Sequence, residues 1–263
     1  MKVRGSTLWL PLATGLLAVA AWQALHISLS DDWRFLFPSP AQVAIAWWEH
    51  AALLWSASLN TTVAAALGFG AATVLSGACA LVLALSRPLR AALYPYLMIL
   101  QMMPVVIVAP ILVLWLGPGL RSVATITALI CFFPIVVNTT QGLVSTDATL
   151  LELFRMWRAT RAQQLWRLRV PAALPYFFTG LRIAAVLAPI GALVGDYTAG
   201  SSAGDGGGLG FQAIIFSSQA RYAALFATAA TTCVLGFIFA GVVSLTAWYI
   251  LHPWHDSYAK SQD

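Results

Sequence analysis

The segment ELFRMWRATRAQQLWRLRVPAALP, residues 152–175, differs from the sequence on either side of it. Its neighbours are mainly Leu, Ala, Val, Ile and Phe, whereas this segment has five arginines within fifteen residues and ends on Pro171 and Pro175. Good helix formers dominate from 149 to 166, with no proline or glycine. We therefore predict one amphipathic helix here, capped at Thr146–Asp147 and ended by Pro171, with Pro175 at the start of the next span.

The composition excludes a soluble globular domain. Apolar residues are 60% of the chain and charged residues 9%, against roughly 45–50% and about 25% in soluble domains. A chain of 263 residues cannot bury that much apolar surface in water, so we expect lipid as the solvent. Three cysteines lie in apolar runs without pair spacing or nearby histidines, which favours small core residues over metal or redox sites: Cys79, Cys131 and Cys233.

Six stretches are long and apolar enough to cross a bilayer as helices, each needing about 20 residues. They are 8–29, 59–85, 97–116, 123–143, 176–199 and 224–251. The first could instead be a cleaved signal peptide with Lys2 and Arg4 as its basic start, but its apolar run exceeds the usual length of about 7–15 residues. We predict an all-α integral membrane protein with six transmembrane helices.

The positions of lysine and arginine predict the orientation, since basic loops stay in the cytoplasm. With the amino terminus inside, only Arg34, Arg121 and Arg221 fall in external segments. Arg182 lies near the inner end of the fifth span, where its side chain can reach the interface. Both termini are therefore predicted to be cytoplasmic. The cytoplasmic basic residues are Lys2, Arg4, Arg87, Arg90, Arg155, Arg158, Arg161, Arg167, Arg169 and Lys260.

The first external loop contains a strong helix start. Ser39 can cap a helix, Pro40 suits its first position, and Gln42 completes a capping box. The tryptophans that follow suit the membrane–water boundary, so we predict an interfacial helix on the outer face; they are Trp47, Trp48 and Trp55.

The segment 152–175, called the basic segment below, has three possible purposes. Its arginines can enforce topology or bind anionic lipid. A helix with an apolar ridge can also dock into a groove of a partner and transmit its movement. The predicted ridge consists of Leu150, Leu153, Phe154, Trp157, Leu165 and Trp166.

This segment resembles the EAA loop of ABC importer permeases, whose pattern is Glu-Ala-Ala, three residues, Gly, nine residues and Ile-x-Leu-Pro. Glu152 takes the Glu position, and Leu168, Val170 and Pro171 fill the end. Leu153 and Phe154 replace the two alanines, and Arg158 replaces the glycine that gives the family loop its turn. From that replacement we predict a continuous or differently bent helix.

The resemblance extends over most of the chain. The runs LFPSPAQV, LNTTVAAALGFG, QMMPVVIVAPILVLWLG, FFPIVVNTTQGL, LPYFFTGLRIA and GGGLG are similar to the nitrate, taurine and sulfonate branch, which includes permeases for thiamine-precursor pyrimidines and riboflavin. The resemblance implies the type I permease fold, a dimer, two cytoplasmic ATPase subunits and a periplasmic solute-binding protein. It assigns contact with the ATPase to Glu152, Leu153, Phe154, Arg155, Trp157, Arg158, Ala159, Arg161, Leu165 and Pro171.

Nothing in the sequence predicts catalysis by this chain. A phosphate-binding loop needs Gly-Lys-Ser/Thr, and neither Lys2 nor Lys260 follows a glycine. The glycine-rich run 199–210 is predicted to be a flexible turn at the outer pore mouth. We expect no enzyme activity, no cofactor or metal site and no nucleic acid partner, with ATP and Mg bound by the separate ATPase.

Polar residues inside spans are candidates for the translocation pathway, since facing lipid is costly for them. Asp196 ends a predicted span and has either a gating or substrate role, or an interfacial one with Arg221 or a glycine-loop amide as its partner. The prolines at 104, 110, 134 and 189 each remove a helical hydrogen bond and predict kinks. The pathway candidates are Gln101, Asn138, Thr139, Gln141 and Asp196.

We predict a single permease domain, 1–263. It divides into the first span with the interfacial helix (1–55), a core (56–251) containing the coupling loop 145–174, and a cytoplasmic tail (252–263). The expected function is ATP-driven import of a small solute across the bacterial inner membrane, whether sulfonate-, taurine- or nitrate-like or a pyrimidine or riboflavin vitamin precursor. An intramembrane enzyme would need a convergent catalytic set. A secondary transporter, the remaining alternative, would carry mid-membrane charges and inverted repeats.

Overall fold

The computed structural model describes residues 9–200 and 207–252, and their regular structure is helical. Predictions that rest on Lys2, Arg4, Lys260, the tail after His252 and the part of the glycine run at 201–206 lie outside the described residues. The helices are α1 (Trp9–Ser28), α2 (Asp31–Leu36), α3 (Pro40–Glu49), α4 (Ala51–Leu85), α5 (Arg87–Gln101), α6 (Val105–Leu116), α7 (Leu120–Val144), α8 (Ala148–Met156), α9 (Arg161–Gln164), α10 (Val170–Ala199), α11 (Leu209–Ser218) and α12 (Tyr222–Leu251), with a π-helical turn, Leu165–Arg169, between α9 and α10.

Among the described residues, five helices are long and apolar enough to cross a membrane. They are α1, α4, α7, α12 and the continuous helix from Arg161 to Ala199. All five contain stretches that the sequence predicts as spans. α4 has 35 residues, about 52 Å at 1.5 Å per residue, and so extends well beyond a hydrocarbon core of about 30 Å.

The predicted third span, 97–116, is not one straight helix. α5 ends at Gln101, α6 begins at Val105, and the axis bends by 97° between them. Pro104 caps α6 with an extended backbone, and a proline also disfavours the helical conformation at the residue before it. α6 alone has 12 residues, about 18 Å, so α5 and α6 make a sixth span only as a bent pair.

The core forms where α7 packs along both α4 and α10, with α12 against α10. Small residues allow these contacts, which in lipid depend on close packing. A Cβ added at Gly68 would lie 2.6 Å from the carbonyl oxygen of Ala124, and one at Gly180 would lie 2.9 Å from that of Pro134. These two glycines therefore let neighbouring helices approach closely. Gly77 of α4, in contrast, has no other atom within 4 Å of the corresponding position.

The segment between α1 and α4 matches its prediction closely. α3 begins with the expected capping box: the Gln42 amide donates to the Ser39 hydroxyl at 3.2 Å, and the Ser39 amide donates to the Gln42 side chain at 2.8 Å. The side chains of Trp47 and Trp48 on α3 are exposed, and so is that of Trp55, which lies on α4 rather than on the predicted helix. Their interfacial position stays a prediction. α1 has no buried residue and contacts α3.

We predict opposite effects for the same substitution at two glycines of α4. Alanine favours a helix by about 1 kcal/mol over glycine, so Gly77→Ala should be neutral or stabilising. Gly68→Ala should destabilise, because overpacking costs typically about 1–3 kcal/mol and Thr127 leaves no room for a methyl group. Thermal unfolding of the purified protein in detergent measures both. Equal midpoints would contradict the packing of α4 against α7.

Candidate functional site

The basic segment forms two helices rather than one. Asp147 caps α8 by accepting a hydrogen bond from the Thr149 amide at 2.7 Å, as predicted. α8 then ends at Met156, and a new capping box between Thr160 and Gln163 begins α9. The prediction of a continuous helix over 149–166 is therefore wrong: the chain turns at residues 157–160.

Arg158 makes this turn in the left-handed conformation, with φ of 53°. Its amide donates to the Arg155 carbonyl at 2.9 Å, and the Ala159 amide donates to the Phe154 carbonyl at 3.0 Å. These two bonds form a Schellman motif, which usually has glycine at the left-handed position. A residue other than glycine costs about 1–2 kcal/mol there. The turn is thus kept even though arginine stands where the EAA pattern has glycine.

Pro171 does not end a helix, contrary to the sequence prediction. The Val170 amide donates to the Leu165 carbonyl, five residues back, within the π-helical turn. Pro171 has no amide hydrogen to donate, and it directly follows this wider turn, which accommodates the proline inside the helix. The helix continues from Arg161 to Ala199. The second half of the basic segment is consequently the beginning of the helix that contains the predicted span 176–199.

The predicted apolar ridge divides between two surfaces. Leu165 is buried and packs with Ala84 and Leu143 at the end of the helix bundle. Trp157 is 82% exposed. Met156 is also exposed, although the sequence prediction omitted it; its position three residues after Leu153 was the available signal. The other exposed apolar side chains of the ridge are Leu150, Leu153 and Trp166.

The other residues that are predicted to contact the ATPase lie around this exposed surface. Glu152 is exposed on α8, and so is Pro171 at the start of α10. Phe154 and Ala159 are half-buried. The predicted arginines Arg155, Arg158 and Arg161 are all exposed. The structure therefore groups the predicted set at one end of the bundle, with Leu165 as its inward-facing member, and its contact with a partner stays a prediction.

At the other end of α10, Asp196 joins three parts of the chain. The Thr61 hydroxyl of α4 donates to Asp196 Oδ2 at 2.7 Å, and the Leu209 amide donates to Thr61 Oγ1 at 2.9 Å. The Gly210 amide also donates to the Asp196 carboxylate. We call the Thr61 and Asp196 side chains with the backbone of 207–210 the glycine latch. Of the two predicted partners of Asp196, the structure has the glycine-loop amide.

The glycine latch requires glycine at two positions. A Cβ added at Gly208 would overlap the Asp196 carboxylate and lie 2.6 Å from Thr61 Oγ1. One at Gly210 would lie 2.8 Å from the Tyr197 amide nitrogen. Residues 207–210 are thus held against the bundle, which differs from the flexible turn predicted for the whole run. A cavity of about 150 Å³ adjoins the latch, lined in part by Asn60 and Gly200.

The predicted pathway residues do not converge on one site. Val123 of α7 lies against Gly195, next to Asp196, whereas Asn138 is fifteen residues further along α7, about 22 Å away. The Asn138 and Thr139 side chains donate to carbonyls of their own helix. Gln101 and Gln141 are exposed. The pathway role of all five stays a prediction.

Residues 66–254 match the family described as binding-protein-dependent transport system inner membrane component. The chain belongs to this family of ABC transporter permeases. A probable ABC transporter permease of Haemophilus influenzae is 35% identical, covering 86% of this chain and 89% of the relative. The formylaminopyrimidine transport permease ThiX of Halalkalibacterium halodurans is 37% identical, covering 84% and 86%. The riboflavin transport permease RibX of Chloroflexus aurantiacus is 38% identical, covering 92% and 90%.

The fold agrees with this assignment. A crystal structure of an amino acid ABC transporter with histidines matches with a TM-score of 0.61 and 19% identity, covering 77% of this chain and 96% of the other. The predicted type I permease fold is therefore confirmed. The protein is a multi-pass membrane permease subunit of an ABC importer, and the secondary-transporter alternative is not favoured.

The left-handed turn of the permease gives a testable difference between two arginines. Arg158→Gly should raise stability by about 1 kcal/mol, because glycine adopts this conformation without strain. Arg155→Gly, inside α8, should lower stability by about 1 kcal/mol through helix propensity. The thermal midpoints of the two variants in lipid nanodiscs provide the comparison. A lower midpoint for Arg158→Gly would argue against the turn.

The glycine latch predicts different results for neighbouring threonines. Thr61→Val leaves Asp196 and the Leu209 amide without their hydroxyl partner, and an unsatisfied buried group costs about 1–3 kcal/mol. Thr62→Val serves as the control, since the Thr62 hydroxyl only donates to the Ser58 carbonyl of its own helix. Amide hydrogen exchange at Leu209 should accelerate in the first variant alone. Unchanged exchange would show that Thr61 does not hold the latch.

Proposed function

We propose that the chain is the subunit through which a separate cytoplasmic ATPase drives solute import, with α8 and the turn at Arg158 as the contact surface. The observation that carries the proposal is the continuity of the helix from Arg161 to Ala199. A force applied at α8 passes through the Schellman turn at 157–160 and then along one unbroken helix into a membrane span. ATP and Mg bind to the ATPase, and this chain supplies no cofactor site.

The exposed side chains of α8 and of Trp157, which follows it, support docking to a protein. Leu150, Leu153, Met156 and Trp157 present apolar surface at the end of the bundle. Tryptophan is enriched among interface residues that dominate binding. Glu152 adds a carboxylate on the same helix, which can form a specific polar contact. Such a surface suits an apolar groove with a basic or amide group at its edge.

The proposed cycle uses both ends of α10. ATP draws two ATPase subunits together, and each carries a basic segment with it. The attached α10 rotates against α7, opening the pathway to a docked solute-binding protein on the outside. Hydrolysis reverses the movement. The glycine latch lies at the far end of α10 and tilts with it; the pathway residues are Gln101, Asn138, Thr139, Gln141 and Asp196.

The assembly proposed for this cycle is a permease homodimer with two ATPases, a periplasmic solute-binding protein and surrounding lipid. It lies in the bacterial inner membrane with both termini in the cytoplasm, because that orientation places the basic residues inside. The proposed units are 1–55, the core 56–251 with the coupling loop 145–174, and the tail 252–263.

The solute proposed is a small molecule of the classes carried by the relatives. Those named for formylaminopyrimidine and riboflavin transport are 37% and 38% identical. Relatives named for aliphatic sulfonates, nitrate and taurine are 30%, 28% and 30% identical over smaller parts of the chain. Greater identity and coverage favour a pyrimidine- or flavin-like vitamin precursor over a sulfonate, taurine or nitrate.

Two exposed tryptophans test the contact surface. Trp157→Ala should weaken ATPase binding about 30-fold, because truncating a dominant interface residue costs about 2 kcal/mol. Trp48→Ala is the matched control, since Trp48 is 78% exposed but lies on α3. The measurement is ATPase binding and ATP hydrolysis with the permease in lipid nanodiscs.

The Glu152 carboxylate is tested by the same measurement. Glu152→Ala is the test variant, and Glu49→Ala is its matched control. Uptake that persists after deletion of 150–165 without any co-purifying ATPase would contradict the proposal. Equal losses in Trp157→Ala and Trp48→Ala would instead place the contact outside α8.

A further inference from the structure

Five arginines line one cavity at the end of the bundle that carries the basic segment. The cavity has a volume of about 520 Å³, within the range of about 300–1,000 Å³ typical of ligand sites. Its arginines come from separate elements along the chain: α5, α8, α9 and the π-helical turn. We call it the arginine pocket, and its arginines are Arg87, Arg90, Arg155, Arg161 and Arg169.

The charge of the arginine pocket is positive and comes from five guanidinium groups. In the parts of the chain that the structure describes, no carboxylate lines the pocket, and none comes within 4 Å of its five guanidinium groups. Arginine cannot lose its proton in a protein. Like charges held around one cavity repel each other, so a bound anion would stabilise this arrangement.

A second cavity adjoins the arginine pocket. It also measures about 520 Å³ and shares Arg87, Arg90 and Val144 with the arginine pocket. Thr140 lines it, is 1% exposed, and has a buried hydroxyl without a hydrogen-bond partner within the described ranges. The Tyr94 side chain lines the same cavity. Buried hydroxyls are normally paired, so Thr140 is an unsatisfied polar group beside this second cavity.

We propose that the arginine pocket binds the phosphate group of an anionic molecule. Guanidinium groups bind phosphate through paired, charge-assisted hydrogen bonds. A phosphate presents several acceptor oxygens in different directions, which suits donors that come from α5, α8, α9 and the π-helical turn. The bound group would join α5 to the basic segment. This inference concerns the permease alone and does not rest on contact with an ATPase.

Two sources share this chemistry: the headgroup of an anionic lipid and free phosphate. The pocket lies where α4 and α7 end, and its lining includes Ala84, Leu85 and Leu165 beside the arginines. Basic pockets between spans on the cytoplasmic side are known to take lipid headgroups. The apolar lining would accept the glycerol and upper acyl atoms of a lipid, whereas free phosphate would use the guanidinium groups alone.

The test compares bound lipid on full-length variants purified in detergent, using native mass spectrometry with added phosphatidylglycerol or zwitterionic phosphatidylcholine. Arg90→Gln and Arg169→Gln remove pocket charges, and both side chains are half-buried. Arg167→Gln is the matched control: it removes the same charge from the same π-helical turn, but Arg167 does not line the pocket. Each pocket variant should weaken phosphatidylglycerol binding roughly tenfold, equivalent to about 1.4 kcal/mol.

Inorganic phosphate distinguishes the two sources. A lipid ligand is supported when phosphatidylglycerol binding is lost in the pocket variants alone and millimolar phosphate does not displace the bound phosphatidylglycerol. The same selective loss with displacement by phosphate supports a soluble phosphate ligand. Either of two results overturns the proposal. One is an equal loss of phosphatidylglycerol binding in Arg167→Gln. The other is binding that shows no preference for phosphatidylglycerol over phosphatidylcholine, together with no binding of phosphate. Thermal midpoints of all three variants establish that each is folded.

Discussion

The close contact of α7 with α4 and α10 is the constraint on which the rest of the structure depends. In lipid, helices gain little from hydrophobic burial and associate through packing of small residues. Gly68 and Gly180 bring the helix backbones within reach of one another. Because α7 and α10 are antiparallel, their contact fixes the basic segment at one end of α10 and Asp196 at the other. Widening it would disturb both ends together.

Local sequence patterns predicted most of the helices. The spans in α1, α4, α7, α10 and α12 were predicted from the length of their apolar sequence. Lipid imposes this pattern directly, because backbone groups inside a bilayer must form their hydrogen bonds within each helix. The caps at Ser39 and Asp147 rest on side chains that bond within three residues. Features of this kind need no knowledge of tertiary contacts.

The failures share a different cause. The absence of glycine suggested a continuous helix through Arg158, yet two backbone hydrogen bonds of a Schellman motif stabilise the turn. A proline suggested a helix end at Pro171, yet a π-helical turn accommodates it. At Pro104 the sequence predicted a kink within one span, whereas the structure has two helices with a bend of 97° between them. In each case the backbone had more than one compatible path, and the residue types alone did not distinguish between them. The glycine latch joins residues 135 and 148 positions apart, so no local pattern could have predicted it.

Under the contact with an ATPase proposed above, the arginine at the Schellman turn bears on how transporter subunits are sorted in a cell that contains several ABC importers. A glycine at this turn leaves a smooth backbone, whereas Arg158 adds a long, exposed and permanently charged side chain. An ATPase shaped to fit a bare turn would have to displace that side chain or bury its charge, which is costly without a partner. An ATPase with space and a carboxylate opposite Arg158 would meet neither cost. The substitution would thus act as a recognition mark that favours cognate over foreign ATPases.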